Sequence, residues 1–251
     1  MPAPIPENET VKIGVIKPST TSNSFSDLSA LLPDDIELIP EYMGFAYKSL
    51  DEFRASMPIY ADKVAALAAK GCDLIHPEGA PPFMLQGLAE ETGYIKEWQD
   101  RHGVPVFTTG TTQVAAMAAL GVERFVGLTP FAGVLAEAFR RYFTDAGFDV
   151  LFMGKPIDDT DDVYDLGTEE IRDRIIAAYQ AVPGDSQALY ILGSGWRVLD
   201  VLEELEAALD VPVLHPVVVR CWYILTKLGR SDPIAGHGRL LAAMPPFAAS
   251  V

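Results

Sequence analysis

A strand-and-loop pattern occurs twice in this chain, and this repetition constrains the fold more than any other feature of the sequence. Three landmarks recur in the same order: residues 13–18 (IGVIKP) return as 125–130 (FVGLTP), residues 76–79 (HPEG) as 192–195 (LGSG), and residues 103–106 (GVPV) as 210–213 (DVPV). The separation is about 105 to 115 residues each time, which is the size of one small α/β lobe. The sequence therefore predicts two pseudo-symmetric lobes, at residues 1–110 and 111–225, with a tail at 226–251 that we expect to pack back on the first lobe.

Strand and helix signals alternate along both halves. Short apolar runs predict strands at residues 11–16, 36–42, 72–75, 104–107, 125–128, 150–153, 188–192 and 211–214. Helical periodicity predicts helices at residues 51–70, 82–91, 113–120, 131–146, 168–181, 196–209 and 217–228. This alternation is typical of an α/β fold in which each lobe is a parallel sheet covered by helices. Because ligands of such sheets bind beyond the carboxyl ends of the strands, we expect the site in the cleft between the lobes.

Composition and charge narrow the classes of partner. The chain is 49% hydrophobic and 22% charged, as expected for a well-packed globule, and its net charge is −16. Nucleic acids and anionic membranes favour clustered Lys and Arg, so neither is an expected partner. We find no basic and apolar leader at residues 1–10 and no apolar run long enough to cross a bilayer, and we therefore expect a cytoplasmic protein.

Metal and cofactor signals are weak. The two cysteines, Cys72 and Cys221, are too few for a disulfide framework or a cysteine-based zinc site, and we expect both to be buried thiols. The acidic stretch at residues 158–162 lacks the glycine and terminal glutamate of a calcium loop and is predicted to be a solvated turn. The chain has no P-loop, no GxGxxG turn after its first strand and no GxSxG elbow. We predict no metal and no cofactor.

Four segments carry a resemblance to a known family: residues 13–19 (IGVIKPS), 79–83 (GAPPF), 103–109 (GVPVFTT) and 193–200 (GSGWRVLD). With the duplication, they resemble the aspartate/glutamate racemase superfamily, and within it the branch of arylmalonate decarboxylase and maleate cis-trans isomerase. The resemblance spans about residues 11 to 240 and implies the two-lobed fold. It also allows for a homo-oligomer, because relatives commonly associate.

The resemblance places the family's two reactive cysteines on glycines of this chain, at or next to Gly79 in the first lobe and at Gly193 in the second. Racemases need two thiols, the decarboxylase needs one to protonate an enediolate, and the isomerase needs a thiolate that adds to a double bond. Cys72 lies at the base of a predicted strand and Cys221 within the last predicted helix, so neither can substitute. Cysteine-based racemisation or isomerisation is therefore the least expected activity.

The resemblance also implies a carboxylate-binding site, since relatives hold a carboxylate with hydroxyls and backbone amides of several loops. The matching positions are Pro18, Ser19, Thr20, Gly79, Ala80, Thr129, Phe131, Gly193, Ser194 and Gly195. Ala80 and Pro81 stand where the decarboxylase has hydroxyl side chains, and Phe131 stands where it has a tyrosine. We expect this site to keep its backbone amides and lose side-chain donors.

Few side chains near these loops could supply replacement chemistry. Glu78 precedes Gly79 in an apolar, Pro-rich turn, where loss of hydration would favour an acid/base role; the alternative is a solvated residue or a partner of a helix N-terminus. His76 could share a proton with Glu78 or be a satisfied core residue. Arg197 could bind a carboxylate or pair with Asp200 or Glu204.

Two further side chains remain ambiguous. Trp196 could form a pocket wall or a core anchor, and His215, which ends the matching strand of the second lobe, could face the site or be structural.

Three functions stay open. The first is a cysteine-independent enzyme that acts on a small carboxylate or dicarbonyl compound, most nearly a lyase or decarboxylase, with Glu78 and His76 as the catalytic residues. The second is a hydrolase in which Glu78 activates water and loop amides hold the oxyanion. The third is a non-catalytic carboxylate-binding protein.

Overall fold

The computed structural model describes residues 10–18, 23–44, 49–156, 166–193 and 196–249. Two compact units make up the chain, Met1–Thr109 and Gly110–Val251. None of the helices within the described residues combines the length and apolar character that a membrane span requires. The acidic stretch at residues 158–162 lies outside the described residues.

The first unit is a parallel sheet with helices. Its elements are β1 (Val11–Lys17), α1 (Ser24–Leu31), β2 (Ile36–Tyr42), α2 (Leu50–Ala55), α3 (Met57–Ala69), β3 (Leu74–Pro77), α4 (Ala80–Gln86) and α5 (Leu88–His102). The strand order is β2-β1-β3, and all pairs are parallel. A single parallel bridge from Ile75 to Val106 adds a fourth segment beside β3.

The second unit repeats this arrangement. Its elements are α6 (Thr109–Ala119, which begins at the boundary), β4 (Arg124–Leu128), α7 (Val134–Asp145), β5 (Asp149–Gly154), α8 (Thr168–Gln180), β6 (Leu189–Ile191), a 3₁₀ turn (Leu199–Val201), α9 (Leu202–Leu209), β7 (Val213–Leu214), α10 (Pro216–Lys227) and α11 (Arg239–Ala243). The strand order is β5-β4-β6-β7, again parallel throughout. The predicted α/β fold of two parallel sheets with helices is therefore confirmed.

The duplication extends to individual hydrogen bonds. Ile75 donates its backbone N–H to the Pro105 carbonyl at 3.0 Å, and Leu189 donates to the Pro212 carbonyl at 3.0 Å. Glu78 donates to Ile16 at 2.9 Å, and Leu192 donates to Leu128 at 2.7 Å. These pairs show that Gly79 and Gly193, the next residue in each loop, are structural equivalents. The predicted match of residues 76–79 with 192–195 was therefore wrong by two residues.

A side chain also bonds the outermost strand segment in both units. Gln99 of α5 accepts from the Val106 N–H at 3.1 Å, and Glu206 of α9 accepts from the Val213 N–H at 2.9 Å. The second carboxylate oxygen of Glu206 accepts from the Arg239 N–H at 2.8 Å. Burial raises the pKa of Glu206, and these two backbone donors oppose the shift.

The cores of the two units differ in composition. In the first unit Trp98 and Phe83 pack edge to face at 6.2 Å among Met, Val, Ile and Leu side chains. In the second unit an aromatic cluster fills the space beside β4, where Phe143 contacts Phe125 at 5.2 Å and Tyr190 at 5.1 Å. Both arrangements use the favourable tilted geometry of aromatic pairs.

The chain end packs within the second unit. The Trp222 indole N–H donates to the Pro245 carbonyl at 2.9 Å, and the Trp222 and Phe247 rings lie 5.2 Å apart. That residues 226–251 also pack on the first lobe stays a prediction, as does a ligand site in a cleft between the lobes.

Several predicted elements differ from the observed ones. The helix predicted at 51–70 is two helices with Ser56 between them, and Gly87, at φ 105°, similarly separates α4 from α5. The strand predicted at 104–107 forms only its bridge at Val106. The helix predicted from residue 196 begins only with the 3₁₀ turn at Leu199, so Trp196 precedes it.

Candidate functional site

Glu78 and Gly79 lie where β3 ends, in the first unit. Glu78 is only 5% exposed, and its backbone N–H continues the ladder from β3 to Ile16 of β1. Gly79, at φ 126° and ψ 104°, is the N-cap of α4. This backbone region is open essentially to glycine alone, so the sharp turn at the end of β3 requires Gly79.

Hydrogen bonds fix the Glu78 side chain and backbone. The Ser24 hydroxyl donates to Glu78 Oε1 at 2.9 Å, and both residues are buried. Ser24 is the first residue of α1, so the carboxylate lies at the N-terminal end of that helix, where negative charge is favoured. The Tyr60 hydroxyl donates to the Glu78 carbonyl at 2.7 Å. Glu78 is therefore a buried residue and not a solvated one.

A buried lysine lies beside this carboxylate and was missed by the sequence analysis. Lys17 ends β1 at 3% exposure, and its Nζ is 5.7 Å from the centroid of the Phe25 ring on α1. Because Ile16 pairs with Pro77, the next residues on the two strands, Lys17 and Glu78, are neighbours at the edge of the sheet. The signal was a lysine at the end of an otherwise apolar strand, immediately before a proline.

His76 is buried in β3, where its ring has a fixed orientation. His76 Nδ1 lies 2.9 Å from the Phe107 carbonyl, and the two rings stack at 4.8 Å. A carbonyl can only accept, so Nδ1 carries a proton in this contact. This geometry accounts for the histidine as a core residue; its predicted proton sharing with Glu78 stays a prediction.

The space around Gly79 is occupied. A Cβ at this position would lie 2.8 Å from the Tyr60 hydroxyl oxygen, 3.3 Å from Pro18 Cγ and 3.5 Å from Pro82 Cδ. The prolines at 81 and 82 follow Ala80 in the first turn of α4, and they have no N–H to offer a ligand. Of the amides expected here, those of Gly79 and Ala80 remain.

The second-unit loop has a different neighbour. Gly193 follows β6, and a Cβ on it would lie 2.6 Å from Nε1 and 2.8 Å from Cδ1 of Trp196. Trp196 is buried, and its Nε1 forms no hydrogen bond with any residue that the structure describes. An unsatisfied buried donor costs about 1–3 kcal/mol. The indole therefore occupies the space that a side chain at residue 193 would enter.

His215 packs close to the same loop. It is the N-cap of α10, and its Nδ1 accepts from the Val217 N–H at 3.4 Å. Burial lowers the pKa of His215 to about 3, a hydrogen bond with the Gly193 backbone opposes this shift, and the charge of Arg220 adds to it. The imidazole is therefore neutral, with Nδ1 as acceptor and the proton on Nε2.

Thr129 and Phe131 mark the loop after β4. Thr129 is buried, its N–H donates to the Gly154 carbonyl at 2.9 Å, and its hydroxyl accepts from the Phe131 N–H at 3.3 Å. The Phe131 ring packs on Phe139 at 5.8 Å. The Thr129 hydroxyl, which was predicted to hold a ligand, thus bonds a backbone amide of its own loop.

The remaining predicted residues are dispersed or outside the described part of the chain. Arg197 is exposed, and its proposed partner Glu204 instead pairs with Arg172 at 2.7 Å. Four of the predicted residues lie outside the described residues: Ser19, Thr20, Ser194 and Gly195. Their role in binding a ligand stays a prediction.

Both cysteines are buried, as predicted. Burial raises the pKa of the Cys221 thiol to about 12 and raises that of Cys72 above its usual value. A thiolate is the nucleophilic form of cysteine, so neither side chain is suited to react near neutral pH. Within the described ranges, His, Cys, Asp and Glu side chains form no group of three that could hold a metal ion.

Comparison with known proteins gives the same fold. The maleate isomerase Iso from Pseudomonas putida S16 is 20% identical over 93% of this chain and 99% of its own, with a TM-score of 0.82. A crystal structure of arylmalonate decarboxylase is 23% identical over 92% and 98%, with a TM-score of 0.78. The Nocardia farcinica maleate cis-trans isomerase, as a cysteine-to-serine variant with a covalently bound succinylcysteine intermediate, is 20% identical over 92% and 98%, with a TM-score of 0.80.

No curated protein matches the chain. A family model does: the model of arylmalonate decarboxylase matches residues 13–241. This match covers both repeats of the strand-and-loop pattern, including Gly79 and Gly193. The chain belongs to the arylmalonate decarboxylase family.

Proposed function

We propose that this protein is a cysteine-independent enzyme of its family, a lyase that decarboxylates a small carboxylate or dicarbonyl compound with Glu78 as its acid/base residue. The observation that carries the proposal is the buried Glu78 carboxylate, fixed by Ser24 and placed next to the glycine that the family resemblance matches to a reactive cysteine. Its neighbour Lys17 adds a buried positive charge to the same corner of the sheet.

The chemistry assigns Glu78 one task. When a malonate-type substrate loses carbon dioxide, the electron pair of the broken carbon–carbon bond stays on the substrate and is delocalised into the remaining carboxylate as an enediolate. The α-carbon must then receive a proton. Glu78 in its protonated form supplies that proton, becomes a carboxylate, and is reprotonated from solvent before the next turnover.

The state of the two thiols supports a mechanism without cysteine. Relatives include an isomerase variant with a succinylcysteine intermediate, which requires a reactive thiol in that protein. Here both thiols are buried with raised pKa values. The carboxyl of Glu78 is the titratable group nearest in sequence to Gly79, so it is the natural replacement.

Substitution of Glu78 tests the proposal. Wild type, Glu78→Gln and the control Glu91→Gln, which changes another buried glutamate of the first unit, are assayed for carbon dioxide release from phenylmalonate and for conversion of maleate. We expect Glu78→Gln to lose about 10²–10⁴-fold in turnover of the decarboxylation substrate. Glu91→Gln and a Cys72→Ala/Cys221→Ala variant should keep their activity. Full activity of Glu78→Gln would remove Glu78 from the mechanism.

One observation favours a second candidate, a non-catalytic carboxylate-binding protein. The Ser24–Glu78 hydrogen bond at the N-terminus of α1 is also what a structural carboxylate would form. In that case wild type binds phenylmalonate or maleate in calorimetry and turns over neither. Turnover that depends on Glu78 excludes this candidate.

A further inference from the structure

One buried donor at the Gly193 loop has no partner among the described residues. It is Nε1–H of Trp196, a side chain that is 3% exposed, and its pyrrole edge lies 2.6–2.8 Å from the Cβ position of residue 193. The ring of His215, by contrast, is hydrogen-bonded to the Gly193 backbone. Native proteins rarely leave a buried donor unsatisfied unless a ligand or water completes it.

The position of the Trp196 indole suits it to bind a ligand. A side chain at residue 193 would project where the Trp196 Nε1–H lies, and this is the direction that the resemblance assigns to the family's second thiol. An indole N–H donates a hydrogen bond but does not release its proton at ordinary pH. The group at this place can therefore stabilise an oxygen anion but cannot carry out the thiol's proton transfer.

We propose that Trp196 is a ligand-binding residue whose Nε1–H donates to a carboxylate or enolate oxygen of the ligand at Gly193. The choice of a carboxylate ligand rests on the proposed function.

The three tryptophans of the chain make a direct test feasible. In protein labelled with ¹⁵N at the indole nitrogen, three N–H signals are expected, from Trp98, Trp196 and Trp222. Trp196→Phe removes and so assigns one of them. Titration with phenylmalonate or maleate should move the Trp196 signal downfield, while the Trp222 N–H, already bonded to Pro245, should stay in place.

Calorimetry on variants gives an independent readout. Trp196→Phe should weaken binding by about tenfold, since a hydrogen bond to a charged group is lost, and Trp222→Phe should leave the affinity within about twofold. An unmoved Trp196 signal at saturation, or no binding of either compound, would overturn the inference even if Trp196→Phe failed to fold. If the compound binds and moves the Trp196 signal but is not turned over, the proposed chemistry alone is overturned. If the compound is turned over without moving the Trp196 signal, this inference alone is overturned.

Discussion

The two glycine loops occupy equivalent places in the two sheets, yet they exclude a side chain for different reasons. At Gly79 the backbone itself does so, because φ is 126°, and the Tyr60 hydroxyl fills the space while donating to the Glu78 carbonyl. At Gly193 the obstacle is one side chain, that of Trp196, whose indole N–H has no partner among the described residues.

The comparison separates a polar neighbour that is satisfied within the protein from one that is not. At the first loop the Tyr60 hydroxyl donates to the Glu78 carbonyl, and the proposed functional group is the adjacent Glu78 carboxyl. At the second loop the Trp196 N–H has no partner among the described residues, and this indole is the proposed ligand donor. The duplicated lobes have thus diverged in the side chains that pack against these two glycines.

The largest effect should come from adding a side chain to the first loop. Gly79→Ala combines a strained φ with a Cβ 2.8 Å from the Tyr60 hydroxyl and should lower the free energy of unfolding by about 4 kcal/mol in urea titrations. Gly71→Ala is the control, since Gly71 has φ 74° with no atom near its Cβ position, and it should cost about 1–2 kcal/mol. Equal losses of unfolding free energy in the two variants would show that the Tyr60 side chain moves aside.

The second loop should show a pH dependence of stability that comes from His215. Burial lowers the pKa of His215 to about 3 from its usual 6.5, so the unfolded state takes up a proton below pH 6.5 while the folded state does not. Stability from this group is complete above pH 6.5 and is lost as pH falls towards 3. Between pH 6.5 and 4.5 the loss is at most about 3 kcal/mol.

His215→Asn measures this loss, because asparagine can cap α10 and does not titrate. The free energy of unfolding of wild type minus that of the variant should decrease as pH falls from 6.5 to 4.5. A difference that stays constant with pH would show that His215 titrates normally in the folded protein.

A smaller effect should show that the Trp196 indole alone blocks a side chain at residue 193. Gly193→Cys should be destabilised by its clash with the indole, and Trp196→Leu should relieve part of that cost. A double-mutant cycle should give a favourable interaction of about 1–2 kcal/mol. If the losses of unfolding free energy of the two single variants simply add in the double variant, something other than the indole fills this space.

The smallest expected effect concerns the bond that fixes Glu78. Ser24→Ala should cost about 1 kcal/mol of unfolding free energy, because the hydroxyl no longer donates to the buried Oε1. Ser26→Ala on the same helix is the control, since its hydroxyl is exposed and bonds only the Asn23 carbonyl. If the two variants lose the same stability, the Ser24–Glu78 bond contributes nothing measurable.

The repeated landmarks predicted the sheets well, because strand identity and order depend on local apolar runs and on short connections. The matches of residues 13–18 with 125–130 and of 103–106 with 210–213 correspond to equivalent backbone hydrogen bonds. Helix starts were less accurate: the helix predicted from residue 196 starts later because residues 196–198 are not helical.

The sequence identified Glu78 and the two glycine loops but not the side chains that pack against them. Glu78 was identified by its place before a family glycine. Tyr60 could not be identified from the sequence, because it contacts Gly79 only through the packing of its helix on the sheet. The same holds for Trp196, whose indole position depends on a rotamer that tertiary packing selects.

The side-chain bonds of Gln99 to Val106 and of Glu206 to Val213 have a consequence for how copies of the chain meet. An N–H left open on an outer strand is a template on which another polypeptide can add as a further strand. In both units the preceding helix occupies that donor with an amide or carboxylate oxygen. At these two edges the donor is already used, so strand-by-strand growth into aggregates is disfavoured there.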